Sequence, residues 1–288
     1  MVKGQAGSEK AMDNLSYKRP DISKFYIEHP ENKNFVLHNH KNLLEMLIFI
    51  SGDAEFRVEG AIYDLKPYDT VIASNYEMHR IIHRSDTPYE RIVINIPVDF
   101  FADNNCEEFS GLFFSRAPGE YNLISGADTE NTYFKNACER LVSYSQNGAS
   151  NIVLNCVIIE IISILFKYRD KSSAENSCGN KYIRDVILYI NENLRSEITL
   201  DSISEHFFVN KSYLCRIFKK STGYTVNRYI TLKRLMYVRK LCSSGMPITA
   251  ARVDAGFGSY SNFYKLYKKE NGCAPSDELK AQPNNGDV

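Results

Sequence analysis

The spacing of apolar positions changes character twice along the 288-residue chain. From Phe25 to Ile96, short runs rich in β-branched and aromatic residues (EMLIFI, AEFRVEG, DTVIAS, ERIVINI) lie close together, parted by the turn signals SGD, EG and KPYD. Many short strands at that spacing predict a β-sandwich or barrel. From about Asn131 the period lengthens: TYFKNACERLVSYS and Ile152–Tyr168 predict two helices joined by the turn QNGAS. The segment that follows, KSSAENSCGN, is small and polar and predicts an interdomain linker.

After the linker every periodic segment reads as helix. Ile183, Val186, Ile187, Ile190 and Leu194 form one apolar stripe. LDSISEHF predicts a short helix, and Asn210 stands where an N-cap opens a helix over Lys211–Thr222 that Gly223 closes. VNRYITLKRLMYVRKLCSSG predicts a long helix ending at Ser244-Gly245, and ITAARVDA another short one. After GFGSY comes a last helix, stopped by Gly272 and Pro275. The fold class expected is α+β in two domains. The map is a flexible arm (1–24), a sheet-rich domain (25–130), a helical pair (131–170), a linker (171–180), a helical domain (181–280) and a disordered tail (281–288).

Net charge is zero, but unevenly spread. Residues 1–179 hold 18 Lys/Arg and 25 Asp/Glu (−7), whereas residues 180–272 hold 16 Lys/Arg and 7 Asp/Glu (+9). A polyanion partner for the second half alone follows from that split. The seven cysteines are odd in number and form no CxxC, which fits a reduced, cytoplasmic protein. The N-terminal twenty residues lack the apolar core of a signal peptide. Ile152–Phe166, the most apolar segment, falls short of the roughly 20 residues a bilayer needs and carries Asn155 and Glu160. It is expected to be a buried or subunit-interface helix, with Ile158 and Ile162 facing a second copy, and no membrane partner is expected.

One basic motif occurs twice. SYLCRIFKKSTG (Ser212–Gly223) returns 49 residues later as SNFYKLYKKENG (Ser261–Gly272). Each copy follows a short helix across a tight turn, the arrangement of a helix-turn-helix whose second helix enters the major groove. Leu214, Ile217 and Phe218 supply the apolar face of the first copy, leaving Ser212, Cys215, Arg216 and Lys219 outward. Phe263, Leu266 and Tyr267 do the same in the second, leaving Ser261, Asn262, Lys265 and Lys268. Arg216 and Lys265 occupy the base-reading positions, and Arg216 can grip guanine bidentately. Lys219, Lys220, Lys268 and Lys269 lie later and are expected on phosphates.

These two copies, with YITLKRLMYVRKLC, Gly256-Phe257 and Pro275-Ser276, resemble the DNA-binding domain of the AraC/XylS family of bacterial transcription regulators, over about a third of the chain. The resemblance implies promoter DNA as partner, and a barrel that binds a small effector, frequently a sugar, followed by helices that pair two subunits. Two positions depart from the pattern. Arg252 stands where a small residue is usual, and either snorkels outward or loosens the second unit. Glu278 stands where an aromatic usually follows Pro-Ser.

HNHKNLLEMLIFISG places His38, His40 and Glu45 together, and YDTVIASNYEMHRIIH adds His79. The spacing resembles the two short motifs of the cupin barrel, whose metal-binding members use two His, a carboxylate and a third His, although Tyr68, Ser74 and Tyr76 replace the glycines and proline usual in the second motif. On a strand, positions i and i+2 share a face, so His38 and His40 can point together. Three imidazoles and a carboxylate suit a transition metal. Polar groups of an effector pocket are the other role open to the four, with Arg57 and Tyr63 added from nearby strands. The expected protein is an effector-controlled, homodimeric, cytoplasmic transcription regulator without a cofactor. The rival is a metal-dependent cupin enzyme with a DNA-binding tail.

Overall fold

A computed structural model describes residues 19–30, 37–169, 181–271 and 274–275. Two units divide the chain, Met1–Asn180 and Lys181–Val288. The expected linker and tail, most of the expected arm, Gly272 and Glu278 lie outside the described residues.

Among the described residues the first unit holds eight strands: β1 (Asp21–Ile27), β2 (Leu43–Ser51), β3 (Ala54–Val58), β4 (Ala61–Asp64), β5 (Thr70–Ala73), β6 (His79–His83), β7 (Tyr89–Pro97) and β8 (Leu123–Ile124). They form a five-stranded sheet in the order β1-β7-β2-β5-β8 and a three-stranded sheet in the order β4-β3-β6, with every pairing antiparallel. The sheets do not close into a barrel among the described residues. β1 and β8 remain edges of one sheet, β4 and β6 of the other. β1 also starts at Asp21, inside the span expected to be a flexible arm, and pairs with β7 from Asp21↔Asn95 to Ile27↔Tyr89.

The near-continuous burial of β2 and β7 has a plain cause: the five-stranded sheet is a middle layer. Leu47, Phe49, Val71 and Val93 pack with Phe56 and Tyr63 of the smaller sheet. Met46, Ile48, Ile92 and Ile94 pack on the other side against α1 (Phe134–Gln146) and α2 (Asn151–Tyr168). A strand buried on both faces loses its polar alternation. Helix α2 is long and apolar enough to cross a membrane by length and composition, yet Val157, Ile158, Ile161, Ile162 and Leu165 are buried in this core. That corrects one expectation. Ile158 and Ile162 are fully buried inside their own subunit, because the sheet needs that face of α2, and the outward stripe instead carries Ile152, Val153 and Cys156.

The second unit is helical: α3 (Lys181–Glu192), α4 (Leu200–His206), α5 (Lys211–Thr222), α6 (Val226–Ser243), α7 (Ile248–Asp254) and α8 (Tyr260–Asn271). Its ends follow local chemistry. Thr199 and Ser202 form a reciprocal capping box on α4. Asn210 accepts the Ser212 amide at 2.8 Å to open α5, and Gly223 at φ 82° closes it. The stripe Ile183, Val186, Ile187 and Ile190 is buried, as are Leu214 and Phe218.

Candidate functional site

The two repeated helices, α5 and α8, each stand second in a helix-turn-helix: α4 leads into α5, and α7 into α8. The repeat puts equivalent residues on equivalent faces. On α5 Ser212, Arg216, Lys219 and Lys220 are exposed and Cys215 is half-buried, while on α8 Ser261, Asn262, Lys265, Lys268 and Lys269 are exposed. Phe263 and Tyr267 are buried and Leu266 half-buried, so the inward and outward sets fall as the 49-residue offset requires. The Arg216 guanidinium lies 5.7 Å from the centre of the exposed Tyr213 ring. The only acidic residue of the two helices is Glu270, and it forms an ion pair with Arg228 near the start of α6. The outward faces therefore carry cations whose charge no carboxylate of their own helix offsets, which suits a row of phosphates.

What holds the two helix-turn-helix units on one frame is a set of polar clamps around α6, about 27 Å long at 1.5 Å per residue. Arg234, in the middle of α6, donates to the carbonyls of Leu194 (3.1 Å) and Ser196 (2.7 Å) ahead of the first helix-turn-helix, and to that of Gly256 (3.1 Å) in the turn of the second. Burial lowers its pKa. Gly256 sits at φ 79°, and a Cβ there would come within 2.9 Å of the Arg234 guanidinium, so glycine is needed both for the turn and for the clamp. Arg195 bonds Asp254 at 2.5 Å, and the Tyr237 hydroxyl donates to the same carboxylate at 3.2 Å. Arg252 is half-buried. It donates to the carbonyls of Phe257 (3.1 Å) and Gly258 (3.3 Å) and lies 5.6 Å from the Tyr260 ring centre, so it braces the turn of the second unit.

In the first unit the structure brings His38, His40, Glu45 and His79 together, one donor atom from each lying within 4.8 Å of the others. Glu45 comes from β2 and His79 from the start of β6. His38 reaches the site through an isolated bridge rather than a strand, its N–H donating to the His79 carbonyl at 2.9 Å and its carbonyl accepting from the His79 N–H at 2.8 Å. His40 Nε2 lies 2.9 Å from Glu45 Oε2, and His79 Nε2 lies 3.6 Å from the same oxygen. Burial alone would raise the Glu45 carboxyl, but His79 and His40 outweigh it and hold it well below the ordinary carboxylate range. His79 is pulled down by burial and raised more by Glu45, ending above its ordinary value.

Of the added effector candidates, Tyr63 faces the inner layer and its buried hydroxyl donates to the Gly119 carbonyl at 3.3 Å. Arg57 lies on the opposite face of β3 from the buried Phe56, paired with Glu55. The structure does not bring Arg57 to the histidines. Sequence reasoning missed the support beneath the cluster. Glu77, buried, accepts from Arg116 Nη1 (2.7 Å) and Nη2 (2.6 Å), from Asn122 (3.1 Å) and from the amides of Ser74 (2.8 Å) and Gly119 (2.9 Å). Burial would raise its carboxyl, yet the Arg116 guanidinium brings it down to about 2. A buried carboxylate two residues before His79 is the only sequence signal that pointed there.

Residues 203–281 match a family described as a helix-turn-helix domain. Along most of its length the chain is similar to the "uncharacterized HTH-type transcriptional regulator YdiP" of Escherichia coli (strain K12). The two are 23% identical over 269 residues, which is 90% of this chain and 86% of that one. Over 100 residues, 34% of this chain and 33% of the relative, it is 32% identical to the melibiose operon regulatory protein of the same organism. The crystal structure of ToxT from Vibrio cholerae O395 aligns over 93% of this chain and 99% of that one, with 15% identity and a TM-score of 0.39. Two helix-turn-helix units on one helical frame, each presenting a basic face, define a DNA-binding transcriptional regulator. These likenesses to helix-turn-helix regulators agree, over the second unit, with the AraC/XylS resemblance of the repeated motif.

Proposed function

We propose that this regulator recognises promoter DNA by laying α5 and α8 in successive major-groove segments, with Arg216 and Lys265 on base edges and Lys219, Lys220, Lys268 and Lys269 on phosphates. The observation that carries the reading is the register of the repeat: Arg216 and Lys265, 49 residues apart, are both exposed on the second helix of their unit. Ser212, Cys215, Ser261 and Asn262 complete the two faces. The Arg234 clamp supports a fixed spacing between them, and grooves on one face of B-DNA recur about every 34 Å.

Control comes from a small ligand held in the first unit at His38, His40, Glu45 and His79. The regulator acts as a cytoplasmic homodimer, paired through the helices at 131–170, where Ile152 is 76% and Val153 40% exposed. The family resemblance makes a sugar the first class to try, but Phe56, stacked on His79 at 5.7 Å between centroids, already covers one of the imidazoles. The rival enzyme reading shares the donor set. The relative matched over 90% of the chain bears the name of a transcriptional regulator, and that favours regulation.

Binding of the full chain to duplex fragments, followed by fluorescence anisotropy across a salt series, tests the reading. Six to ten phosphate contacts should cost about 10³–10⁵ in affinity between 50 and 200 mM salt. No binding, or binding indifferent to salt, would sink it.

A further inference from the structure

We infer that Tyr213 is a specificity-determining residue of the first reading helix, and that it recognises the C5-methyl group of a thymine on the base pair next to the guanine held by Arg216. The inference rests on the proposed placing of α5 and Arg216 on base edges, and deepens it by naming a two-base element of the DNA site.

Position comes first. Tyr213 is the third residue of α5, and in a helix-turn-helix the N-terminal residues of the second helix are those that contact base edges. It precedes Arg216 by three positions, so the two side chains are neighbours on one flank of the helix. Tyr213 is 46% exposed, while Leu214 and Phe218, which seat α5 in its unit, are fully buried. Seating the helix therefore does not account for a large aromatic ring at this place. Tyr182 of α3 is close enough for the Tyr213 phenol to add to the upward pKa shift that burial mainly gives it, so packing against α3 is the competing role.

Stacking comes second. The Arg216 guanidinium lies over the Tyr213 ring, 5.7 Å from its centre, within the roughly 6 Å of a cation–π contact. A guanidinium that grips guanine O6 and N7 with two parallel bonds lies close to the plane of that base. Guanine takes the edge of the fork, so a ring that offers its face to the guanidinium stands above or below that plane. Successive base pairs rise by about 3.4 Å, and the ring is thereby set at the level of an adjacent pair.

Chemistry is the third and most telling point. Base edges in the major groove offer donors, acceptors and one apolar group, the thymine methyl, and apolar side chains read that methyl by contact. A ring left in water in the free protein gains by covering it. The other copy of the motif supplies an internal control. At the matching place, 49 residues on, stands Asn262, exposed beside Lys265. Asparagine pairs with adenine N6 and N7 and has no apolar face to lay on a methyl, so the demand for a thymine belongs to α5.

The test uses the full-length chain. Sites are selected from random duplexes, and each thymine of the selected site is then exchanged singly for deoxyuridine, which removes the methyl and keeps the pairing edge. Fluorescence anisotropy gives the ratio of affinities, thymine over deoxyuridine, for wild type, Tyr213→Phe, Tyr213→Ala and Tyr213→Asn. The expected result is one thymine, next to a guanine, at which wild type and Tyr213→Phe lose about 4-fold, the worth of one buried methyl. At that thymine Tyr213→Ala and Tyr213→Asn should lose nothing. A residue that only packs against α3 would lower the melting temperature and weaken every duplex alike, leaving the ratio as in wild type. Asparagine is the residue of the second copy, so that variant remains informative if alanine impairs folding; circular dichroism and melting check both. The inference is overturned if no thymine is sensitive in wild type, if the sensitive thymine has no guanine beside it, or if the folded variants without the ring keep the wild-type ratio. Arg216→Ala keeps the two readings apart. A changed site preference in Arg216→Ala beside an unchanged ratio in Tyr213→Ala overturns this inference alone, whereas a wild-type chain that selects no site overturns the base-reading proposal itself.

Discussion

Arg234→Met separates the frame from the reading faces. Methionine keeps the apolar stem in place and removes the guanidinium that ties Leu194 and Ser196 to Gly256. Three hydrogen bonds from a charged donor disappear. Each such bond contributes about 1.5–3 kcal/mol when buried, but water can replace some at half-buried carbonyls, so the net loss should be about 2–4 kcal/mol. For a helical unit of this size that lowers the melting temperature by roughly 10 °C or more. The functional readout is a ratio: affinity for a duplex with two recognition segments in phase, divided by affinity for a duplex with one. A clamped frame gives the second reader a high effective concentration once the first is seated, and a loosened frame should reduce that ratio about 10-fold. Anisotropy with the two duplexes, at one salt concentration and at a temperature where the variant is folded, measures it. If the variant keeps the wild-type ratio, Arg234 stabilises its unit without setting the spacing of the readers. If it also melts with wild type, the clamp does neither.

Arg216→Ala should lose about 1–3 kcal/mol of discrimination at one base pair, whereas Lys220→Ala should weaken binding to all sequences alike. Site selection with both variants decides, and an unchanged preference in Arg216→Ala would make that residue a backbone contact. Glu77→Gln should cost most at neutral pH. The folded pKa of Glu77 is depressed to about 2 from an ordinary 4.5, so its roughly 3 kcal/mol of stabilisation is complete above the unfolded value and fades as pH falls from about 4.5 towards 2. Melting curves of the two proteins should therefore converge in acid, and a gap independent of pH would exclude Glu77 as the cause. Ile152→Glu should shift the chain from dimer to monomer in sedimentation, and a wild-type monomer at micromolar concentration would refute the dimer itself.

Legibility in the sequence followed the number of environments a segment must satisfy. Helices α4 and α5 were the most readable, because each pairs buried apolar positions with exposed polar ones and opens on a side-chain cap: Thr199 caps α4, and Asn210 and Gly223 bracket α5 at the residues expected. The sheet was harder. β2 and β7 sit between two layers and lose alternation. β4 has four residues and β8 two, too short for a period; β4 was anticipated only as a strand carrying Tyr63, and β8 went unpredicted. Whether two sheets close on each other depends on which edges pair. That is a property of long-range register and not of any one segment, which is why a barrel and an open pair of sheets look alike beforehand. Helix α2 misled for a related reason. Its composition is apolar nearly all round, so the sequence alone could not say that the sheet takes Ile158 and Ile162 and leaves Ile152 outside.

The two sites divide along the same line. On α5 and α8 the exposed faces could be laid out residue by residue, because a helix repeats its own geometry and one copy checks the other. Arg252 shows where that stops. From sequence it was a large charge in a small residue's place, free to snorkel or to loosen the unit. In the fold its stem stays half-buried and its guanidinium reaches the carbonyls of Phe257 and Gly258, groups exposed by the turn itself. The departure thus carries its own compensation, and the planar fork of Arg216 against the point charge of Lys265 still argues for unequal readers. In the histidine cluster the donors were named in advance but their order was not. Nothing in HNHKNLLEM tells that Glu45 will lie against His40, or that the Glu77 carbonyl will fix the His79 ring. That arrangement is made by strands distant in sequence meeting at one end of two sheets, so donor type was legible while orientation, which decides what the donors can hold, was not.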